Sequence, residues 1–351
     1  MKAPIYNKLN QSPECTFIVF GKKILRGVQN RTILSTSKLI CFLFFLMYLS
    51  ACKEGVFVQP EPGTYPVHPF KTPYKSFKGN NLELFAWYGK KVTILTRADT
   101  LDKLTMHKWL STLDSVYSYY TICTGKEPPY LSFDYYINNR NTIAVASDSS
   151  SDCNVGSMGV EISNERFNSS YNSIKNNNDF DNDIYYYLSN NFWFYDRKIG
   201  YSRYYKWGYA NFMTLMAKEV VGFSTNNYWN IYRDSVERLV DIYVADPTLN
   251  WVNALASGRA VPYATLGYSQ HLFSSFCLRL KRDYGGQNFV KKLWQEVDKK
   301  PENYSLTSIQ TMDNFFLSAC AAANKNLTNL FKTWKWTISA SAQTEAAKYP
   351  Q

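Results

Sequence analysis

The spacing of apolar residues changes once along this chain, and that change limits the folds open to it. As far as Ile162 they fall in short runs of strand length: 82–87 and 91–96, parted by Tyr88-Gly89 turn chemistry, then 130–137, 142–147 and 155–162. One helix interrupts the strands at 98–120, with Leu101, Leu104, Trp109, Leu113, Val116 and Tyr120 at helical spacing. An Asn/Ser-rich stretch, 164–182, reads as irregular. From Asp183 the period is helical almost throughout: 183–196, 204–221, 229–244, 250–256, 265–284, 288–297, 308–323 and 326–336. A mixed sheet and helix layer followed by a mainly helical half is an α+β arrangement. The expected organisation is an α/β subdomain at 81–182, a helical subdomain at 183–338 and a flexible tail at 339–351.

The N-terminus carries an address. Lys22, Lys23, Arg26, Arg31 and Lys38 precede an apolar run from Leu39 to Leu49. Such a run is shorter than the roughly 20 residues of a membrane-spanning helix and suits the apolar core of a secretory signal. It ends in Leu49-Ser50-Ala51-Cys52, which resembles a bacterial lipobox. The resemblance implies a signal peptide at 1–51, cleavage before Cys52, and acyl chains on its thiol and new amino group. Lys53-Glu54 is similar to the short charged export signals of Bacteroidetes surface lipoproteins. Residues 52–80 hold Pro60, Pro62, Pro66, Pro69 and Pro73 and read as an extended tether, with His68 a solvated residue in it. The expected location is the bacterial outer membrane or cell surface, with membrane lipid as a partner through Cys52.

The formal charge of +11 does not indicate nucleic acid. Residues 1–51 contain seven Lys or Arg and one Glu, so about half of the excess leaves with the signal. The remainder is dispersed, without an arginine-rich run or zinc-finger spacing. Cys123, Cys153, Cys277 and Cys320 lack metal-like spacing; a Cys123–Cys153 disulfide and buried thiols at Cys277 and Cys320 are both open. The loop 147–154 carries Asp148 and Asp152 but lacks the glycine and terminal glutamate of an EF-hand and reads as solvated.

The order of strands, helix, second helix and helical bundle resembles the gluzincin (thermolysin-like) metallopeptidases, and most of all their enhancin-like, mucin-degrading branch. The resemblance is carried by residues 190–195 (NNFWFY), 284–294 (YGGQNFVKKLW) and the passage from Asp313-Asn314-Phe315-Phe316 to Leu330-Phe331 and Trp334. It implies zinc held by two histidines and a glutamate, and proteolysis of glycoproteins. Zinc hydrolysis would need H-E-x-x-H on the helix at 183–196, setting two imidazoles one turn apart with a general base between them. Here the run Tyr185-Tyr186-Tyr187-Leu188-Ser189-Asn190-Asn191 offers phenols and amides. A neutral phenol is a poor ligand and a poor base near pH 7. The chain has three histidines, His68, His107 and His271, with no two a helical turn apart. Only Glu219 matches the position of a third ligand.

The reading that follows is a surface lipoprotein with a degenerate peptidase-like fold, a pseudoenzyme that binds glycan, glycoprotein or peptide without a cofactor. Tyr186, Tyr187, Asn190, Asn191 and Glu219 would line its cleft, with Trp193, Tyr204 and Trp207 as aromatic binding residues. The alternative is an active hydrolase, zinc-dependent or with a site built from Glu219, His271 or tyrosines. A third reading is a structural partner in an outer-membrane complex. The lipobox makes one direct prediction: cells given a labelled fatty acid should label the wild-type chain, and Cys52→Ala should abolish the label.

Overall fold

The computed structural model describes residues 69–128, 136–137, 140–147, 153–155, 159–223, 228–259, 261–262 and 268–351. All belong to one unit, Phe57–Gln351. The signal, Cys52, the tether as far as His68, residues 129–135 and the loop 148–152 lie outside the described residues.

The described strands form one mixed sheet. They are β1 (Phe70–Lys75), β2 (Asn81–Tyr88), β3 (Val92–Thr96), β4 (Tyr136–Ile137), β5 (Arg140–Ser147), β6 (Cys153–Val155) and β7 (Gly159–Ser163), in the order β1-β2-β3-β5-β7-β6 with β4 added to β5. The β2–β3 hairpin is antiparallel, with Phe85 opposite Thr96. Strand β5 then runs parallel to β3, and β7 parallel to β5. A parallel pair needs a crossover, which α1 (Lys103–Thr124) supplies between β3 and the β4–β5 region. The two-residue alternation sorts the faces. Trp87, Val92, Ile94, Ile143, Val145, Val160 and Ile162 enter the main core shared with the helices. Tyr74, Leu84, Ala86, Leu95, Ala144 and Ala146 make a smaller cluster on the opposite face.

Helix α1 is the common wall of the molecule. Asp102 caps it by accepting from the Thr105 backbone N–H at 2.8 Å, and left-handed Gly125 ends it. Met106, Trp109, Leu113, Val116 and Tyr120 are buried at helical spacing, whereas Leu104, expected among them, is 77% exposed. Asp114 is also buried on α1, and its carboxylate accepts three successive backbone N–H groups from the β2–β3 turn: Lys90 at 2.6 Å, Lys91 at 2.8 Å and Val92 at 2.9 Å. Burial pushes this carboxyl up, and the three N–H groups pull it back toward the ionised form. Gly89 is required beside it, because a Cβ there would stand 2.7 Å from both carboxylate oxygens.

The helical half follows: α2 (Asn164–Asn177), α3 (Asn182–Asn190), α4 (Arg203–Val221), α5 (Tyr228–Ala245), a π-helical turn (Val252–Ala256), α6 (Ser269–Asp283), α7 (Gly286–Asp298), α8 (Ser308–Ala323), α9 (Thr328–Thr333) and α10 (Ala340–Ala346). Trp294 on α7 gathers aromatic rings, stacking on Tyr195 at 5.6 Å and taking the edge of Tyr209 at 4.7 Å. No helix of the described residues is long and apolar enough to cross a membrane.

The structure departs from the sequence reading at four places and decides one alternative it left open. The folded part begins at β1, not Asn81, and Pro73 fits because β1 is an edge strand. The stretch read as irregular is α2, started by the Ser163 hydroxyl, which accepts from the Arg166 N–H at 3.1 Å. The helix expected over 183–196 stops at Asn190, because Asn191 and Phe192 turn into the core. The tail read as flexible contains α10, anchored by buried Ala342 and Ala346. Cys123 is a buried free thiol, as are Cys277 and Cys320, so no disulfide joins it to Cys153.

Removing the Asp114 carboxylate would leave three buried or half-buried donors without their partner. Asp114→Ala should therefore lower unfolding free energy by roughly 3 kcal/mol in urea titration, with Gly89→Ala destabilising through the same contact.

Candidate functional site

Helices α3, α4 and α6 border an open groove. Two adjoining depressions share Tyr186, Tyr187 and Gln270. The first, about 480 Å³, adds Asn190, Lys206 and Trp207. The second, about 310 Å³, adds Asn182, Asp183, Asn211, Thr214, Tyr232 and His271. Tyr186 and Asn190 sit one turn apart on α3, and the Asn190 amide donates to the Tyr186 carbonyl at 2.9 Å. Trp207, Asn211 and Thr214 form a stripe on α4 at helical spacing. Gly208 lets α6 come close to that stripe: a Cβ on it would lie 2.6 Å from the Gln270 carbonyl oxygen and 2.7 Å from the Phe273 Cβ. The α4–α6 contact thus sets Trp207 and Asn211 beside Gln270 and His271.

Asn191, expected in the cleft, is buried elsewhere. Its carbonyl accepts from the Asn141 amide at 3.2 Å and its own amide donates to Gly159 O at 3.4 Å, tying the end of α3 to β5 and β7. Phe192 follows it into the core, edge-on to Tyr117 at 4.9 Å and to Tyr120 at 5.4 Å. Glu219 lies roughly 120° around α4 from the Trp207 stripe, by the 3.6-residue period. It accepts from Lys281 Nζ at 2.5 Å and does not line either depression. Of the positions that the resemblance picks out, Tyr187 lines both depressions, Asn191 is turned to the sheet and Glu219 to Lys281. Among the described residues, no three His, Cys, Asp or Glu side chains stand together as a metal site.

The aromatic candidates separate by burial. Trp193 is 6% exposed, its indole N–H donates to Asp196 at 2.5 Å, and its ring packs on Tyr195 and Tyr209. It belongs to the core. Tyr204 and Trp207 are half-buried and meet edge to face at 5.8 Å, so they remain available at the surface. Burial pushes the Tyr186 phenol well up, which keeps it neutral near pH 7.

His271 belongs to a hydrogen-bonded group that sequence spacing does not reveal. Its Nδ1 lies 3.2 Å from the Asn211 amide nitrogen and 3.1 Å from the Tyr232 hydroxyl. The Tyr232 hydroxyl donates to Asn211 Oδ1 at 2.8 Å, and the Asn211 amide also donates to Ser274 at 3.0 Å. Burial lowers the His271 pKa to about 4. Asn211, Tyr232 and Gln270 have no motif; the available sign was the polar Asn211 in an otherwise apolar stretch of α4.

No protein-family model matches the chain, and no curated protein matches it significantly. Its fold is similar to that of a functionally unknown conserved protein (a mutant form) from Bacillus anthracis str. Ames, with a TM-score of 0.52 at 11% identity over 76% of this chain and 52% of that one. The chain thus spans about half the length of that relative. ZmpB metallopeptidase from Clostridium perfringens matches with a TM-score of 0.49 at 14% identity, over 78% of this chain and 50% of that chain. A second ZmpB structure, of the CBM32-1, CBM32-2 and M60 catalytic domains, matches at 0.48 with 13% identity, over 78% of this chain and 27% of that one.

The buried histidine gives a pH prediction. Its folded pKa is depressed, so between about 6.5 and 4 the unfolded chain binds more protons and stability falls as pH falls. Unfolding free energy should drop by up to ~2 kcal/mol from pH 7 to pH 5 through this group, and His271→Gln should flatten that slope in urea titrations at the two pH values.

Proposed function

We propose that this chain is a lipid-anchored bacterial surface protein that holds a glycan, glycoprotein or peptide in the groove between α3, α4 and α6, on a degenerate peptidase-like fold of gluzincin type. The observation that carries the reading is the composition of the first depression. Three aromatic side chains, Tyr186, Tyr187 and Trp207, stand beside the amides of Asn190 and Gln270 with no carboxylate among them. Aromatic planes pack on apolar ligand faces while amides fix orientation by hydrogen bonds. The residues at the expected zinc positions do not fit a zinc ion, so no hydrolytic step is assigned to them.

The alternative, a hydrolase, draws on one observation. Neutral His271 and Asp183 line the same second depression, a residue pair capable of proton transfer. A single preparation separates the two readings. The full chain in detergent, supplemented with zinc, should contain little metal by elemental analysis. It should bind glycopeptides without releasing products, and Trp207→Ala should weaken binding about tenfold or more, as expected from losing ~1.5–3 kcal/mol of aromatic burial. Near-stoichiometric zinc together with product release would sink the binding-only reading.

A further inference from the structure

The groove has an electrostatic bias that the general binding reading leaves unused. Among the described residues, Lys206 is the one charged side chain lining the first depression, and no carboxylate lines it. One turn away, the Arg203 guanidinium lies 4.8 Å from the Trp207 ring centre and 5.4 Å from that of Tyr204. Cations bordering the rest of this region are already neutralised: Arg166 pairs with Asp181 and Asp183, and Lys281 with Glu219. Among the described residues, Arg203 and Lys206 have no such acidic partner. Both occupy the first turn of α4, which contains no acid. Cations there oppose the helix dipole, which Arg203 offsets through its contacts with the Tyr204 and Trp207 rings.

Resting on the binding reading above, we infer that the groove takes an acidic sugar: a pyranose bearing a carboxylate or sulfate, with its ring against Trp207 and its acid between Lys206 and Arg203. A charge held over an aromatic face suits this pairing, because guanidinium and ring act together on one ligand. The helical walls favour a sugar over an extended peptide. Strand-like capture of a peptide uses free backbone N–H and C=O groups on a sheet edge. The backbone along α3, α4 and α6 is engaged within the helices, which leaves aromatic faces, amides and an ammonium. Those groups match the faces and hydroxyls of a pyranose.

The test uses the full chain in detergent and calorimetric titration with three hexamers: galacturonate, sulfated galactan and neutral galactan. An acidic glutamate hexapeptide of equal charge serves as a fourth probe. At least one acidic sugar should bind about tenfold more tightly than neutral galactan in low salt, and should lose that margin as salt screens the pair. Arg203→Gln combined with Lys206→Gln should remove the margin between acidic and neutral sugars, read as the ratio of the two affinities in the same variant. Comparing the two acidic sugars tells carboxylate from sulfate. Equal binding of acidic and neutral sugars, with loss in Trp207→Ala, would overturn the acidic-sugar inference and leave the general binding reading standing. So would full acidic preference in the double variant, and so would glutamate peptide binding as tightly as the sugars. No binding by any probe would overturn both. The wild-type comparison requires no variant, so misfolding of a mutant cannot mask the answer.

Discussion

A single buried carboxylate joins the two layers of this protein. Asp114 stands on α1, yet its partners are three successive N–H groups of the turn between β2 and β3. That turn would otherwise leave donors unpaired against the helix, which is costly in a dry environment. The contact fixes the height of α1 over the sheet. The Arg140 side chain adds a second tie, donating to the Gly89 carbonyl at 2.6 Å and so linking β5 to the same turn. Helices α2, α3, α4 and α7 pack on that wall, with Phe192 against Tyr117 and Tyr120 and the Tyr119 hydroxyl donating to Gln287 of α7 at 2.7 Å.

The groove is a consequence of that wall. Asn191 and Phe192 end α3 by reaching for β5, β7 and α1, while half-buried Tyr186 and Tyr187 and buried Asn190 line the groove. Close approach of α6 at Gly208 supplies the other side. The site is therefore built from helix surfaces with their backbones already paired, and its chemistry is restricted to what side chains offer. The described residues offer phenols, an indole, amides, an ammonium and the Asp183 carboxylate, with a neutral imidazole held beside Asn211.

Aromatic richness has two uses here, and burial separates them. Tyr185, Tyr195, Tyr205 and Tyr209 are fully buried and Trp193 nearly so: Tyr195 and Tyr209 pack on Trp294, Tyr205 on Trp251 and Phe273, and Tyr185 on Phe223. Burial pushes the phenols of those four tyrosines far up, which removes them from any acid–base role near neutrality. Tyr186, Tyr187, Tyr204 and Trp207 come from the same run of sequence, yet remain partly exposed. Neighbours in sequence serve opposite purposes because a helix turns successive side chains by about 100°.

By itself the sequence determined the α+β class, most helix and strand positions, and the chemistry the first helix cannot perform. Those follow from local period and residue type: Leu113, Val116 and Tyr120 mark a buried face of α1 wherever it packs, and Tyr187 or Asn191 is not an imidazole in any fold. The strand at Phe70–Lys75 was hidden by its proline, and α2 by residues that prefer turns until a cap and a buried face (Phe167, Tyr171, Ile174) outweigh them. Tertiary structure alone decided which way Asn191 and Glu219 face, which aromatics stay at the surface, and that His271 joins Asn211 and Tyr232 from other helices. Those choices depend on contacts between residues distant in sequence, made only when α1, α4 and α6 come together.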